Sequence, residues 1–215
     1  MNAAPPRLVV AMILAAAGGS AQATALSVDA FSNSVDVVLA PFEGTLLASA
    51  TTFISNSSYT GLARSAVYDT GTGLDFYYQF SNSTMSANGV ERFTGYDFSS
   101  LGASNVIDVF QTSAAFGIFM PGEESADGAD RTSFGVIGFS FVPNGQSKIN
   151  PGSTSFTQII RTPARAYTTG NFGLLDGIGD NAGGFAPLPV PEPGTLALTV
   201  TGLVLLGVVK VRKTT

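Results

Sequence analysis

The chain has 215 residues and a formal net charge of −5. Charged residues make up only 12%, against about 25% in an average soluble domain, so 22 Ser and 21 Thr must cover much of the surface. The absence of His and Cys excludes Ser-His-Asp and Cys-His catalysis, zinc sites of imidazole and thiolate, and disulfides. Three Lys and seven Arg, with no basic block in the body, exclude a nucleic-acid footprint.

Residues 1–25 have the three parts of a secretory signal in order. Arg7 and the amino terminus form a thin positive region, and Leu8 to Ala17 is an apolar run. Two A-x-A sites follow, built on Ala21, Ala23 and Ala25, which predicts a mature terminus at Thr24 or Leu26. The run is too short to span a bilayer comfortably. The partners it predicts are the Sec translocon and signal peptidase.

Residues 26–186 show no sustained helical period. Their alternation predicts strands over 26–31, 35–39, 46–54, 62–68, 74–81, 90–98, 106–110, 116–120, 134–142, 154–161 and 164–168. In 74–81, Leu74, Phe76, Tyr78 and Phe80 face one way, and Asp75, Tyr77, Gln79 and Ser81 the other. Gly- and Asn-bearing turns such as Thr70-Gly71-Thr72-Gly73, Asn88-Gly89 and Asp176-Gly177 punctuate them. The fold class predicted is all-β: a single antiparallel β-sandwich, jelly-roll or Ig-like. A lipid-facing barrel competes less well, because the strands are short and their faces mixed.

The chemistry offered by this body is thin. Asp69-Thr70-Gly71 matches the core of an aspartic protease, but that mechanism needs two such carboxylates and the chain holds one. A hairpin turn explains it more simply. Two acidic loops offer oxygen ligands for Ca²⁺: Glu123, Glu124, Asp127 and Asp130 in one, Asp176 and Asp180 in the other. Neither has EF-hand spacing, and a solvated loop is the simpler reading. Asp75 with Asp97 or Glu91 could form a glycosidase pair across strands. Tyr59, Tyr68, Tyr77 and Tyr96 could stack on sugar rings, or simply pack. No cofactor is expected.

Residues 187–215 form a second signal. Pro187, Pro189, Pro191 and Pro193 stiffen the lead-in, Gly194 to Val209 is uncharged, and Lys210, Arg212 and Lys213 close the chain. Sixteen helical residues rise about 24 Å, a short span made workable by snorkelling and bilayer thinning. The basic residues would act as a membrane stop on the cytoplasmic side.

Val190-Pro191-Glu192-Pro193-Gly194-Thr195, followed by the apolar span and the basic end, resembles the PEP-CTERM sorting signal of Gram-negative bacteria. The resemblance covers about 25 residues. Its modest basic tail, mixed in Lys and Arg, departs slightly from the pattern. It implies export, transient anchoring in the inner membrane, recognition by an exosortase, and delivery to the cell surface or exopolysaccharide matrix. Gly73 to Asn82 resembles an aromatic strand common in the body domains of such proteins. Ile149 to Ser155, followed by Ile159 to Thr162, has the same character. The function expected is therefore a structural or interaction protein of the surface. A lectin-like sugar- or Ca²⁺-dependent module is the alternative, and a carboxylate-only enzyme a distant third.

Overall fold

The computed structural model describes residues 23–40, 44–95, 97–102, 105–142 and 148–188. The strands are β1 (Thr24–Leu26), β2 (Ala30–Ser32), β3 (Asp36–Val37), β4 (Thr45–Ser55), β5 (Thr60–Asp69), β6 (Leu74–Asn82) and β7 (Arg92–Gly95). They continue with β8 (Ile107–Thr112), β9 (Gly128–Arg131), β10 (Ile137–Ser140), β11 (Thr157–Thr162), β12 (Tyr167–Asp176) and β13 (Ile178–Pro187). A seven-stranded sheet runs β1-β8-β11-β6-β5-β4, with β3 also on β8. A six-stranded sheet runs β13-β12-β7-β10-β9-β2. All pairs are antiparallel except the two-residue β3–β8 contact.

One apolar cluster joins the two sheets. Val67, Phe76, Tyr78, Phe80, Val109 and Ile160 come from the first, and Phe93, Phe139, Phe172, Leu174 and Phe185 from the second. The rings interlock mainly edge to face: Phe93 against Phe172 at 4.9 Å, Phe93 against Phe141 at 4.8 Å, and Tyr78 against Phe172 at 5.1 Å across the sheets. Each fully buried large apolar side chain stabilises the fold by roughly 1.5–3 kcal/mol. The buried Tyr78 hydroxyl is satisfied by donating to the Phe185 carbonyl at 2.6 Å, which fastens β13 to the opposite sheet.

The expected alternation in β6 holds for direction but not for exposure. Asp75, Tyr77 and Gln79 are buried as fully as Phe76, Tyr78 and Phe80. A second cluster covers them on the outer face of the seven-stranded sheet: Val38, Ala66, Tyr77, Phe110, Phe119 and Ile159. Its cover is the segment around Phe116–Phe119, which sequence alternation assigns to a strand. It is instead a tight reverse turn, closed by Phe116 and Phe119 exchanging backbone hydrogen bonds at 3.2 and 2.8 Å. Gln79 clamps this cover by donating to the Met120 carbonyl at 2.7 Å and accepting from its N–H at 2.9 Å.

Other expected strands are cut or divided. The one expected over 26–31 splits at Asp29, whose φ of 57° turns the chain from one sheet to the other. That over 90–98 shortens to β7, because a 3-10 turn at Phe98–Leu101 follows. That over 134–142 starts at Ile137, behind a turn that leaves Phe134 exposed. Residues 167–187, in which alternation assigns no strand beyond 168, form a ten-on-ten hairpin. Its turn is made possible by Gly177 at φ 64°. The body also runs one residue past its expected end: Pro187 pairs with Tyr167, tolerated because β13 is an edge strand and needs no further donor there.

The amino-terminal strand favours one of the two predicted cleavage points over the other. Thr24 Oγ1 donates to Asp36 Oδ2 at 3.1 Å and accepts from the Asp36 N–H at 3.3 Å, and Thr24 pairs with Val109. Cleavage after Ala23 keeps all of β1, whereas cleavage after Ala25 removes two of its three residues. The mature chain is expected to start at Thr24, as read by intact-mass spectrometry. In urea unfolding, a body starting at Leu26 should be less stable than one starting at Thr24 by about 1–3 kcal/mol, the net worth of one to three hydrogen bonds.

Candidate functional site

Val190, Pro191, Glu192, Pro193, Gly194, Thr195, Lys210, Arg212, Lys213 and Ala21 lie outside the described residues, as does Tyr96. Among the described residues no helix is long and apolar enough to cross a membrane. Ala23 immediately precedes β1 and Ala25 is its middle residue.

Of the six acidic residues considered as Ca²⁺ ligands, Glu123, Glu124, Asp130, Asp176 and Asp180 have their carboxylates in contacts within the fold, and two of them, Asp130 and Asp176, form ion pairs. Asp130 sits on β9, not in a loop. Its two oxygens meet Arg92 of β7 at 2.6 and 2.9 Å across the intervening strand β10. Gly138 on β10 makes room for that guanidinium, since a Cβ there would stand 1.9 Å from Arg92 Nη2. Glu123 accepts the Thr154 N–H and Glu124 accepts from Asn150 Nδ2, each at 3.4 Å. The Asp127 N–H donates to the Ser140 carbonyl. Asp180 accepts the N–H of Asn181. Among the described residues there is no group of three or more His, Cys, Asp or Glu side chains that could hold a metal ion.

Asp176 belongs to a different network. It accepts from Ser58 Oγ at 2.5 Å and from Lys148 Nζ at 2.9 Å, and Lys148 also meets Glu91 at 2.6 Å. Asn88 Nδ2 donates to Ser58 Oγ at 3.0 Å. The hydrogen bonds from Lys148 to Glu91 and Asp176 push the ammonium above its ordinary range. A lysine held this way stays charged and serves as a cross-link between the β4–β5 turn, the segment before β7 and the β12–β13 turn. It is not a base.

Asp75 is fully buried and is met by Arg161 from the adjacent strand β11. Nε lies 3.0 and 3.2 Å from the two carboxylate oxygens and Nη2 lies 2.8 Å from Oδ2. The guanidinium also stacks 5.0 Å above the Phe110 ring. Burial pushes the Asp75 carboxyl above the usual carboxylate range, while hydrogen bonds from Arg161 and Tyr77 pull it down. Asp75 and Glu91 are thus bound to different cations, Arg161 and Lys148, and do not form a glycosidase pair in which either is free. The register that brings Asp75 opposite Arg161 could not be read from the sequence, because the two residues are 86 positions apart.

Asp69-Thr70-Gly71 forms the β5–β6 turn. Asp69 Oδ1 accepts the Gly71 N–H at 2.7 Å, and Gly71 has φ 79°. Tyr59 and Tyr77 are buried and present no ring face to a sugar, and Tyr68 packs edge-on against Tyr77 at 4.8 Å. A polar recess of about 260 Å³ lies at the β4–β5 turn, lined by Asn56, Ser58, Thr60 and Ser86 among others. Several of its polar groups bond to each other or to backbone: Asn56 Oδ1 accepts from the Ser58 and Tyr59 N–H groups, and Ser86 Oγ bonds with Thr60 and Asn82, while Asn56 Nδ2 is buried with no hydrogen-bond partner among the described residues. No family model, no curated protein and no solved structure matches the chain.

Removing one member of the buried pair exposes its cost. Arg161→Met is expected to destabilise the body by about 3 kcal/mol at neutral pH, the low end for a broken buried pair because Arg161 is 41% exposed. Without Arg161, burial outweighs the remaining hydrogen bond from Tyr77, so the folded pKa of Asp75 lies further above the unfolded value and protonation favours the folded state. The loss should therefore be largest at neutral pH and shrink as pH falls through the carboxylate range. Paired urea titrations of wild type and variant from neutral to acid pH measure this.

Proposed function

We propose that this chain is an exported structural or interaction protein, sorted to the cell surface or exopolysaccharide matrix of a Gram-negative bacterium, and that its body performs no catalysis. The observation that carries the reading is the order of parts at the carboxy-terminal end. Val190-Pro191-Glu192-Pro193-Gly194-Thr195 begins two residues after Leu188, whose N–H bonds to the Ala166 carbonyl at the end of the sandwich. An uncharged stretch and Lys210, Arg212 and Lys213 follow. In this reading the amino-terminal segment engages the Sec translocon and signal peptidase. The apolar span holds the chain in the inner membrane, and an exosortase acts at the Pro-rich motif.

Two features of the body support it. The ion pairs use the body's carboxylates as fasteners: Asp75, Glu91, Asp130 and Asp176 all hold cations. The surface is otherwise rich in hydroxyl groups and poor in charge, which suits contact with neutral polymer and other proteins more than capture of an ionic substrate.

Replacing Pro191-Glu192-Pro193 by three alanines should leave export intact and trap the full-length chain in the inner membrane. Deleting residues 194–215 should release the body into the periplasm. Tagged chains are followed by membrane fractionation in strains with and without an exosortase. A triple-alanine variant that reaches the surface in wild-type amount and size would overturn the sorting reading and leave a simple tail-anchored domain.

A further inference from the structure

The two sheets present their edges very unequally. One side of the seven-stranded sheet ends in β1 and β3, of three and two residues, with Asp36 on β3. The six-stranded sheet ends in β2, again three residues, and in β13, which carries Asp180, three glycines and Pro187. Short strands, charge, Gly and Pro are the usual means of blunting an edge. The remaining edge, β4, has none of these. It spans eleven residues, Thr45–Ser55, with no charged residue, no Pro and no Gly. Its one irregularity is a bulge between Leu46 and Ala48. Leu46, Leu47 and Phe53 are exposed on it, Phe53 at 67%.

The hydrogen-bond phase of β4 shows which of its groups β5 leaves unpaired among the described residues. The Asn56 N–H donates to the Tyr59 carbonyl across the β4–β5 turn. Partners in an antiparallel ladder alternate, so Ile54, Thr52, Ala50 and Ala48 address β5. Ser49, Thr51 and Phe53 then turn their N–H and C=O groups to the open side. Their side chains lie on the exposed outer face.

We propose that β4 is a self-association edge: it pairs antiparallel with β4 of a second copy, joining two seven-stranded sheets into one. Charge argues for this occupant. The chain is acidic, yet this segment is neutral, so two copies meet here without like charges facing each other. An acidic or basic peptide would find no counter-charge on the strand. Closure argues the same way. Pairing of β4 with a different edge would propagate into fibres, and the opposite edge is too short to accept it, whereas β4 on β4 is isologous and ends at two copies. A two-fold axis at Thr51 pairs Thr51 with Thr51 and Ser49 with Phe53, with all open-side groups matched. The proposal rests on no part of the sorting reading.

The test uses the full chain purified in detergent and its mass by sedimentation velocity. Wild type should have the mass of two copies. Thr51→Pro removes the N–H at the axis but none that β5 needs, so it should give one copy with an unchanged circular dichroism spectrum. Thr51→Lys places two ammonium groups across the axis and should weaken the dimer roughly tenfold or more. It also keeps the test sound if the proline variant fails to fold. Since the chain has no cysteine, Thr51→Cys should join to a second copy with a short bismaleimide, while Ser133→Cys should not. A wild-type monomer at hundreds of micromolar, or a dimer unaffected by both Thr51 variants, overturns the proposal. The second result would place the contact elsewhere, in the apolar carboxy-terminal segment or with another partner.

Discussion

The fold depends on a central strand buried on both faces. β6 sends Phe76, Tyr78 and Phe80 into the space between the sheets and Asp75, Tyr77 and Gln79 under the outer cover. A strand in that position must satisfy its polar side chains internally, because an unpaired buried charge or amide costs several kcal/mol. Three of them are satisfied by segments distant in sequence: Arg161 for Asp75, Met120 and Ser155 for Gln79, and the Phe185 carbonyl for Tyr78. The polar residues of β6 therefore determine where β11, the 113–122 cover and β13 dock. Apolar residues in those places would supply burial without direction.

A similar logic runs through the rest of the charged inventory. With few ionic groups available, the chain spends them as links between elements. Arg131 is buried with no ion-pair partner among the described residues. It donates to the carbonyls of Leu26, Asn105 and Gly102, tying β9 to β1 and to the segment before β8. Arg92 reaches Asp130 past the missing side chain of Gly138. Carboxylates that looked like a ligand set in the sequence are separated by this arrangement. Ligand sets need convergence, and here Asp130, Asp176, Glu123, Glu124 and Asp180 each meet a different partner.

The sequence showed the class of the fold and most strand positions because alternation and turn residues are local signals. It did not show the cover over β6. Asp75, Tyr77 and Gln79 have the composition of a solvent face, and only the long-range docking of residues 113–122 makes them interior. Residues 167–187 were obscure for a related reason. Gly170, Gly173, Gly179, Gly183 and Gly184 weaken any propensity for strand, yet a Cβ on Gly170 would stand 2.7 Å from that of Ala186. The acidic segment Asp176–Asn181, which reads as a solvated loop in the sequence, is the tip of the β12–β13 hairpin, turning at Gly177. Of the candidate site, the two end segments are expectations drawn from blocks of composition and lie mostly outside the described residues, whereas the Asp75–Arg161 and Asp176–Lys148–Ser58 contacts depend on register across most of the chain.

Charge scarcity also links the interior to the edges. A domain with abundant Lys and Glu can place some of them on every exposed strand and so forbid pairing by repulsion or desolvation. Here the six cationic side chains of the body, Arg64, Arg92, Arg131, Lys148, Arg161 and Arg165, all have hydrogen bonds to other parts of the chain. None remains to guard β4, whose protection falls to one bulge. Contacts made along such a strand consist of backbone hydrogen bonds and small side chains. Salt screens charges and leaves these contacts nearly untouched. An assembly held through β4 would therefore keep its strength from dilute buffer to high ionic strength, in contrast to one held by ion pairs, and would suit a protein that works outside the controlled salt of the cytoplasm.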